Sequence, residues 1–108
     1  MIERPFAGGE HKFAFGYDEA VEWERLRRKS LYRTALEMED DRWFMADVIE
    51  VVRLGLIGAG MPQSEADDAV EYNVRKRPLA ENRKLVLAIL DDAYFGPKEE
   101  TKTEEATE

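Results

Sequence analysis

Three glycines stand within the stretch RLGLIGAGMP, Arg53 to Pro62, directly behind an apolar run. Glycine at such density is what a backbone needs to wrap a phosphate, because an absent side chain lets amide N–H groups approach the anion. A dinucleotide fingerprint requires G-x-G-x-x-G straight after a strand, with the third glycine opening a helix. Gly58 and Gly60 occupy the first two places, but Gln63 stands at the third. A P-loop is ruled out, since no Gly-Lys-Ser/Thr occurs in the chain. The apolar residues upstream repeat near 3.6 rather than 2, so a helix runs into the glycines. A corner between helices accounts for each residue. Gly55 admits a neighbouring backbone, Gly58 or Gly60 takes the left-handed conformation that ends the helix, and Pro62 blocks its continuation. A small nucleotide-binding protein using the Gly55–Gly60 loop is the alternative.

Other residue types offer little for catalysis. His11 is the single histidine, beside Lys12 in an expected strand, and reads as a surface residue. The carboxylate pairs Asp40-Asp41, Asp67-Asp68 and Asp91-Asp92 are sequence neighbours. Adjacent residues on a helix do not face each other, so this spacing builds neither an acid/base dyad nor a metal cage. The chain has no cysteine, which excludes disulfides and thiolate metal sites and fits a reducing cytoplasm. No catalytic residue, cofactor or metal is expected.

The segment RLRRKSLYR gathers Arg25, Arg27, Arg28, Lys29 and Arg33. Such a run complements the dipole at a helix C-terminus and pairs with nearby acids. It also offers a docking patch for an acidic partner. Together with Trp43 these arginines form the candidate partner surface, since tryptophan and arginine are what interfaces favour.

Elsewhere the chain is acidic, 24 Asp and Glu against 16 Lys and Arg, a net charge of −8. That balance opposes non-specific binding to nucleic acid or to an anionic membrane. Residues 1–96 are expected to form one globular domain, which suits 108 residues. Residues 97–108, PKEETKTEEATE, carry five glutamates and two lysines, with no aromatic or branched aliphatic residue. They read as a disordered acidic tail. No apolar stretch reaches the length of a membrane span or a signal peptide.

The elements that must position these residues are a hairpin and four or five helices, an α+β fold that is mainly helical. Gly8-Gly9 supplies the positive φ of a tight turn within ERPFAGGEHKFAF, and alternation places Phe13 and Phe15 on one face. Asp18 is the expected N-cap of a first helix, and Ser30 could cap a second with Leu31, Tyr32, Ala35 and Leu36 as its inward stripe, the pattern allowing either two helices or one bent helix. Trp43 and Phe44 are expected to fold back onto the core. Asp47 with Glu50, and Ser64 with Asp67, have the capping-box spacing for two more helices. Ala66, Ala69, Val70, Asn73 and Val74 would face inward on the second of these. Pro78 suits the first turn of the last helix, whose centre LVLAIL is apolar nearly all round and which Gly96-Pro97 ends. SEADDAVEYNVRKR could serve as a DNA-recognition helix, but Glu65, Asp67 and Asp68 would repel phosphates at its leading end.

Two segments carry a family likeness: VRLGLIGAGM, Val52 to Met61, and RPLAEN, Arg77 to Asn82, with 15 residues between them. DDRWFMADVIEVV, leading into the same helix, and more loosely GGEHKFAF, extend it. The chain resembles the small tail proteins of bacterial gene transfer agents, relics of tailed phages, from about Gly8 to Phe95 and most strongly from Trp43 to Ala93. Members resemble phage tail assembly chaperones. The resemblance implies a non-enzymatic protein that escorts the tape-measure protein or unassembled tail tube subunits, with no catalytic residue to carry over. The dense RLRRKSLYR is more basic than expected of relatives, and the acidic tail falls outside the matched stretch.

Overall fold

The computed structural model describes residues 1–96; the expected tail, 97–108, lies outside the described residues. A two-stranded antiparallel hairpin, β1 (Ile2–Phe6) and β2 (Gly9–Phe13), precedes five helices. These are α1 (Tyr17–Arg27), α2 (Leu31–Glu39), α3 (Met45–Gly58), α4 (Gln63–Asn73) and α5 (Leu79–Phe95). The architecture is α+β and mainly helical, as the periodicities predict.

The hairpin register pairs Ile2 with Phe13 and Phe6 with Gly9, so the turn is Ala7-Gly8 rather than Gly8-Gly9. Both turn residues have positive φ, 53° and 81°, the twist-compatible arrangement of a two-residue hairpin loop. Phe6, Phe13 and Phe15 are buried, with the Phe6 and Phe13 rings edge to face at 5.9 Å. Two strands alone are marginal. These bury their aromatic face against α3, and the Ala14 N–H donates to the Gly55 carbonyl at 2.9 Å.

Helix α3 is the centre of the core. Val48, Val51, Val52, Leu54 and Leu56 are all buried, packed between β2, α1, α4 and α5. On α4 Ala66 and Val70 are buried, as is Val74 at its C-cap, with Ala69 and Asn73 at the edge, and α5 contributes Leu85, Val86, Ile89 and Leu90.

Several helix starts fall earlier than the capping patterns suggest. Gly16, not Asp18, caps α1, because the Glu19 carboxylate reaches back to accept from the Gly16 N–H at 2.9 Å. Asp47 likewise sits inside the first turn of α3 and accepts from the Phe44 N–H. Helix α4 begins behind Pro62, whose carbonyl accepts from Ala66, so Ser64 lies within the helix. Ser30 does cap α2, its hydroxyl accepting from the Arg33 N–H. Arg28, at φ 60°, breaks α1 from α2.

Candidate functional site

The glycine stretch holds its own helix end. Gly55 lies in the buried face of α3, against Phe13, while α3 ends at Gly58. A Cβ at Gly58 would collide with the Ala14 carbonyl oxygen and crowd the Glu19 carboxylate. Gly60, at φ 110°, turns the chain, and Pro62 then caps α4. The Gly60 N–H donates to Ile57 and the Met61 N–H to Leu56, the paired bonds of a Schellman helix end. The Ala59 N–H points back to Gly55 and Leu56. With these three amides engaged, they are not available to an anion. A helix, not a strand, leads into this bend.

The basic cluster divides by role. Arg27 Nε donates to Asp47 Oδ1 at 2.7 Å, and Lys29 Nζ to Asp47 Oδ2 at 2.9 Å. The Asp47 side chain is 0% exposed. Trp23, fully buried, donates its indole N–H to the Asp47 carbonyl. Burial works to raise the Asp47 pKa, but hydrogen bonds from Lys29, the Phe44 amide and Arg27 outweigh it and hold the group below the usual carboxylate value. Arg27 and Lys29 therefore fasten the α1–α2 junction to the start of α3. Arg25 grips Glu22 with two hydrogen bonds, and Arg33 approaches Glu37 at 3.6 Å, both at the surface. Arg28 is exposed. Trp43 is half-buried at the edge of the core and donates its indole N–H to the Met38 carbonyl. Phe44, expected inward, is instead exposed with the Lys29 ammonium 4.7 Å from its ring centre, because Asp47 draws Lys29 across it.

The inward stripe of α2 also differs from the expectation. Leu31, Thr34 and Met38 are buried, while Tyr32 and Leu36 are 72% and 70% exposed. Thr34 can face inward because its hydroxyl donates to the Ser30 carbonyl. Tyr32 and Leu36 instead form one wall of a groove of about 650 Å³ between α2, α5 and β1. The small side chains of Ala35 and Ala88 line it with Leu87, and Phe95, 76% exposed, stands at the end of α5. Tyr32 and Tyr94 stack across the groove at 5.4 Å. Burial, then Tyr32 and Glu24, raise the Tyr94 phenol above its usual pKa. Asp91, Asp92 and Arg4 supply its charged lining, and the Met1 ammonium donates to Asp92 Oδ2 at 2.8 Å.

The groove was readable only in part. Leu87, Ala88, Asp91, Tyr94 and Phe95 recur at helical spacing on α5, a second stripe beside the core-facing one. An all-round apolar helix is normally covered on every side; the described residues cover α5 on only part of its girth.

Among the described residues no group of three or more His, Asp or Glu side chains could hold a metal ion, and no helix is long and apolar enough to cross a membrane. Fold and site together define a small, mainly helical α+β protein with an apolar groove between α2, α5 and β1. The family profile described as phage tail tube protein, GTA-gp10, matches residues 1–96, and the chain belongs to that family. It is thus a tail protein of the gene transfer agent and phage type, a structural family. Comparison with curated proteins and with solved structures finds no match.

Proposed function

We propose that this chain is a non-enzymatic tail assembly chaperone, acting in the cytoplasm, that holds the tape-measure protein or unassembled tail tube subunits until the tail is built. The family supplies the tail context. The observation that carries the chaperone reading is the α2–α5 groove, whose apolar walls include side chains as exposed as Tyr32, Leu36 and Phe95. A contiguous apolar concavity on a small chain this charged marks a docking face. Weak, reversible contact through such a face suits a carrier that must later release its client.

The test is co-expression with the tape-measure and tail tube proteins of the same tail, each carrying the affinity tag in a separate experiment. The chain is expected to co-purify with one of them and to be lost from it in a Leu36→Asp/Phe95→Asp variant. Capture of neither client refutes the chaperone reading. Arg25, Arg28 and Arg33 offer a second contact, and an Arg25→Glu/Arg28→Glu/Arg33→Glu variant tests them without removing either cation that binds Asp47. Loss of client in that variant alone would move the docking face to the basic turn.

A further inference from the structure

The hairpin keeps one edge open. Its Ala7-Gly8 turn closes on Phe6 and Gly9, so those two residues exchange the first bonds of the ladder. Bonded and non-bonded pairs then alternate along an antiparallel ladder. Arg4 with His11 and Ile2 with Phe13 are bonded, whereas Pro5 with Glu10 and Glu3 with Lys12 turn their backbone groups outward. Two observations agree with this phase. Pro5, which has no N–H, falls at an outward position. Ala14, two residues beyond Lys12, sends its N–H away from β1 to the Gly55 carbonyl.

The two edges differ. On β1, Pro5 offers no donor and the Glu3 carbonyl accepts from Arg4 Nη1 at 2.9 Å. On β2, the outward N–H and C=O groups of Glu10 and Lys12 bond to nothing among the described residues. Their side chains are exposed and have no ion-pair partner among those residues either. Charges on an edge strand repel most strands that approach it. Glu10 and Lys12 carry opposite signs two residues apart, so they attract a strand bearing the same pair in reverse order. The β2 of a second copy, run antiparallel, supplies that order. Gly9 points the same way. It is a strand residue outside the turn, without positive φ, and a Cβ on it would meet nothing within 4 Å. The chain's own fold gives no reason for glycine there, and glycine inside a strand marks the close approach of another backbone.

We propose that two copies of this chain pair β2 to β2, antiparallel, about a twofold axis at His11, joining two two-stranded hairpins into one sheet. Glu10 then faces the partner's Lys12, and Lys12 the partner's Glu10, each pair exchanging backbone bonds and matching charge. Gly9 falls beside the partner's Phe13, on the sheet face that carries α3, where a side chain would run into that helix. The net charge of −8 on each copy opposes association at a distance, and physiological salt confines that repulsion to about 8 Å. A two-stranded sheet is marginal and gains from added strands.

Sedimentation equilibrium of the full chain, followed up to about 1 mM, is expected to show monomer passing to dimer. Amide hydrogen exchange at Glu10 and Lys12 should slow over the same range. Glu10→Lys and Lys12→Glu each set like charges across the axis and should weaken the dimer about tenfold. The double exchange restores opposite signs in the same register and should recover most of that loss. Net charge alone predicts otherwise, since Glu10→Lys makes the chain less acidic and would strengthen association. Gly9→Val, which raises strand propensity, should abolish the dimer. The melting temperature of each variant reports separately on the hairpin.

A chain that stays monomeric throughout would overturn the proposal. So would single variants that associate like the parent, or a double variant no better than the singles. A dimer untouched by these changes but lost in Leu36→Asp/Phe95→Asp would place the contact in the groove and overturn it as well.

Discussion

Replacing Asp47 with alanine removes the carboxylate that joins the α1–α2 junction to the start of α3. Three donors lose their acceptor: Arg27 Nε, Lys29 Nζ and the Phe44 N–H. Breaking a buried ion pair costs about 3–5 kcal/mol when the remaining charge stays buried. Here the Arg27 and Lys29 side chains are 23% and 29% exposed and recover part of their hydration, which lowers that cost. The loss of the cap at the start of α3 adds about 1 kcal/mol. The expected destabilisation is about 3 kcal/mol near neutral pH, or roughly 10–20 °C in melting temperature for a domain of this size. Urea unfolding followed by circular dichroism measures it across a pH series. Because the folded Asp47 pKa is lowered, its contribution is fully present above the unfolded value of about 3.9 and is lost as pH falls through the folded value. The gap between parent and variant should therefore close in acid. A gap under about 1 kcal/mol at neutral pH, or one that stays constant into acid, would refute this account of the ion pair.

Alanine at Gly58 meets the Ala14 carbonyl oxygen and should cost about 2–3 kcal/mol by urea midpoint. Alanine at Gly55 meets Phe13 only at 3.4 Å and gains helix propensity, so the same measurement should place it within about 1 kcal/mol of the parent. Arg27→Met should destabilise by about 2 kcal/mol through Asp47, whereas Arg25→Ala and Arg28→Ala, at exposed positions, should each stay within about 0.5 kcal/mol. Leu36→Asp/Phe95→Asp should leave the melting temperature within a few degrees of the parent while abolishing client capture, because neither side chain belongs to the buried core.

The hairpin and helices were legible because turn residues, caps and the 3.6 period act locally. The glycine stretch was legible for the same reason, since a missing third glycine and an upstream helical period are both features of adjacent residues. Helix starts were displaced by a turn or less where a side chain capped backward, as Glu19 does for Gly16. The basic cluster was not legible. Five cations close together look equivalent, yet Arg27 and Lys29 converge on a carboxylate 20 and 18 residues further along, and only packing brings it there. Tyr32 and Leu36 were expected inward because periodicity gives a stripe its width without saying which edge meets the core. The buried choice fell to Thr34 and Met38, since Thr34 satisfies its own hydroxyl within the helix.

The bond between the Met1 ammonium and Asp92 places the first residue at the rim of the groove. Any fusion in front of Met1 turns that ammonium into a neutral amide and sets foreign residues at the mouth of the cleft. A negative capture result from an N-terminally fused version would therefore report on the handle rather than on the groove.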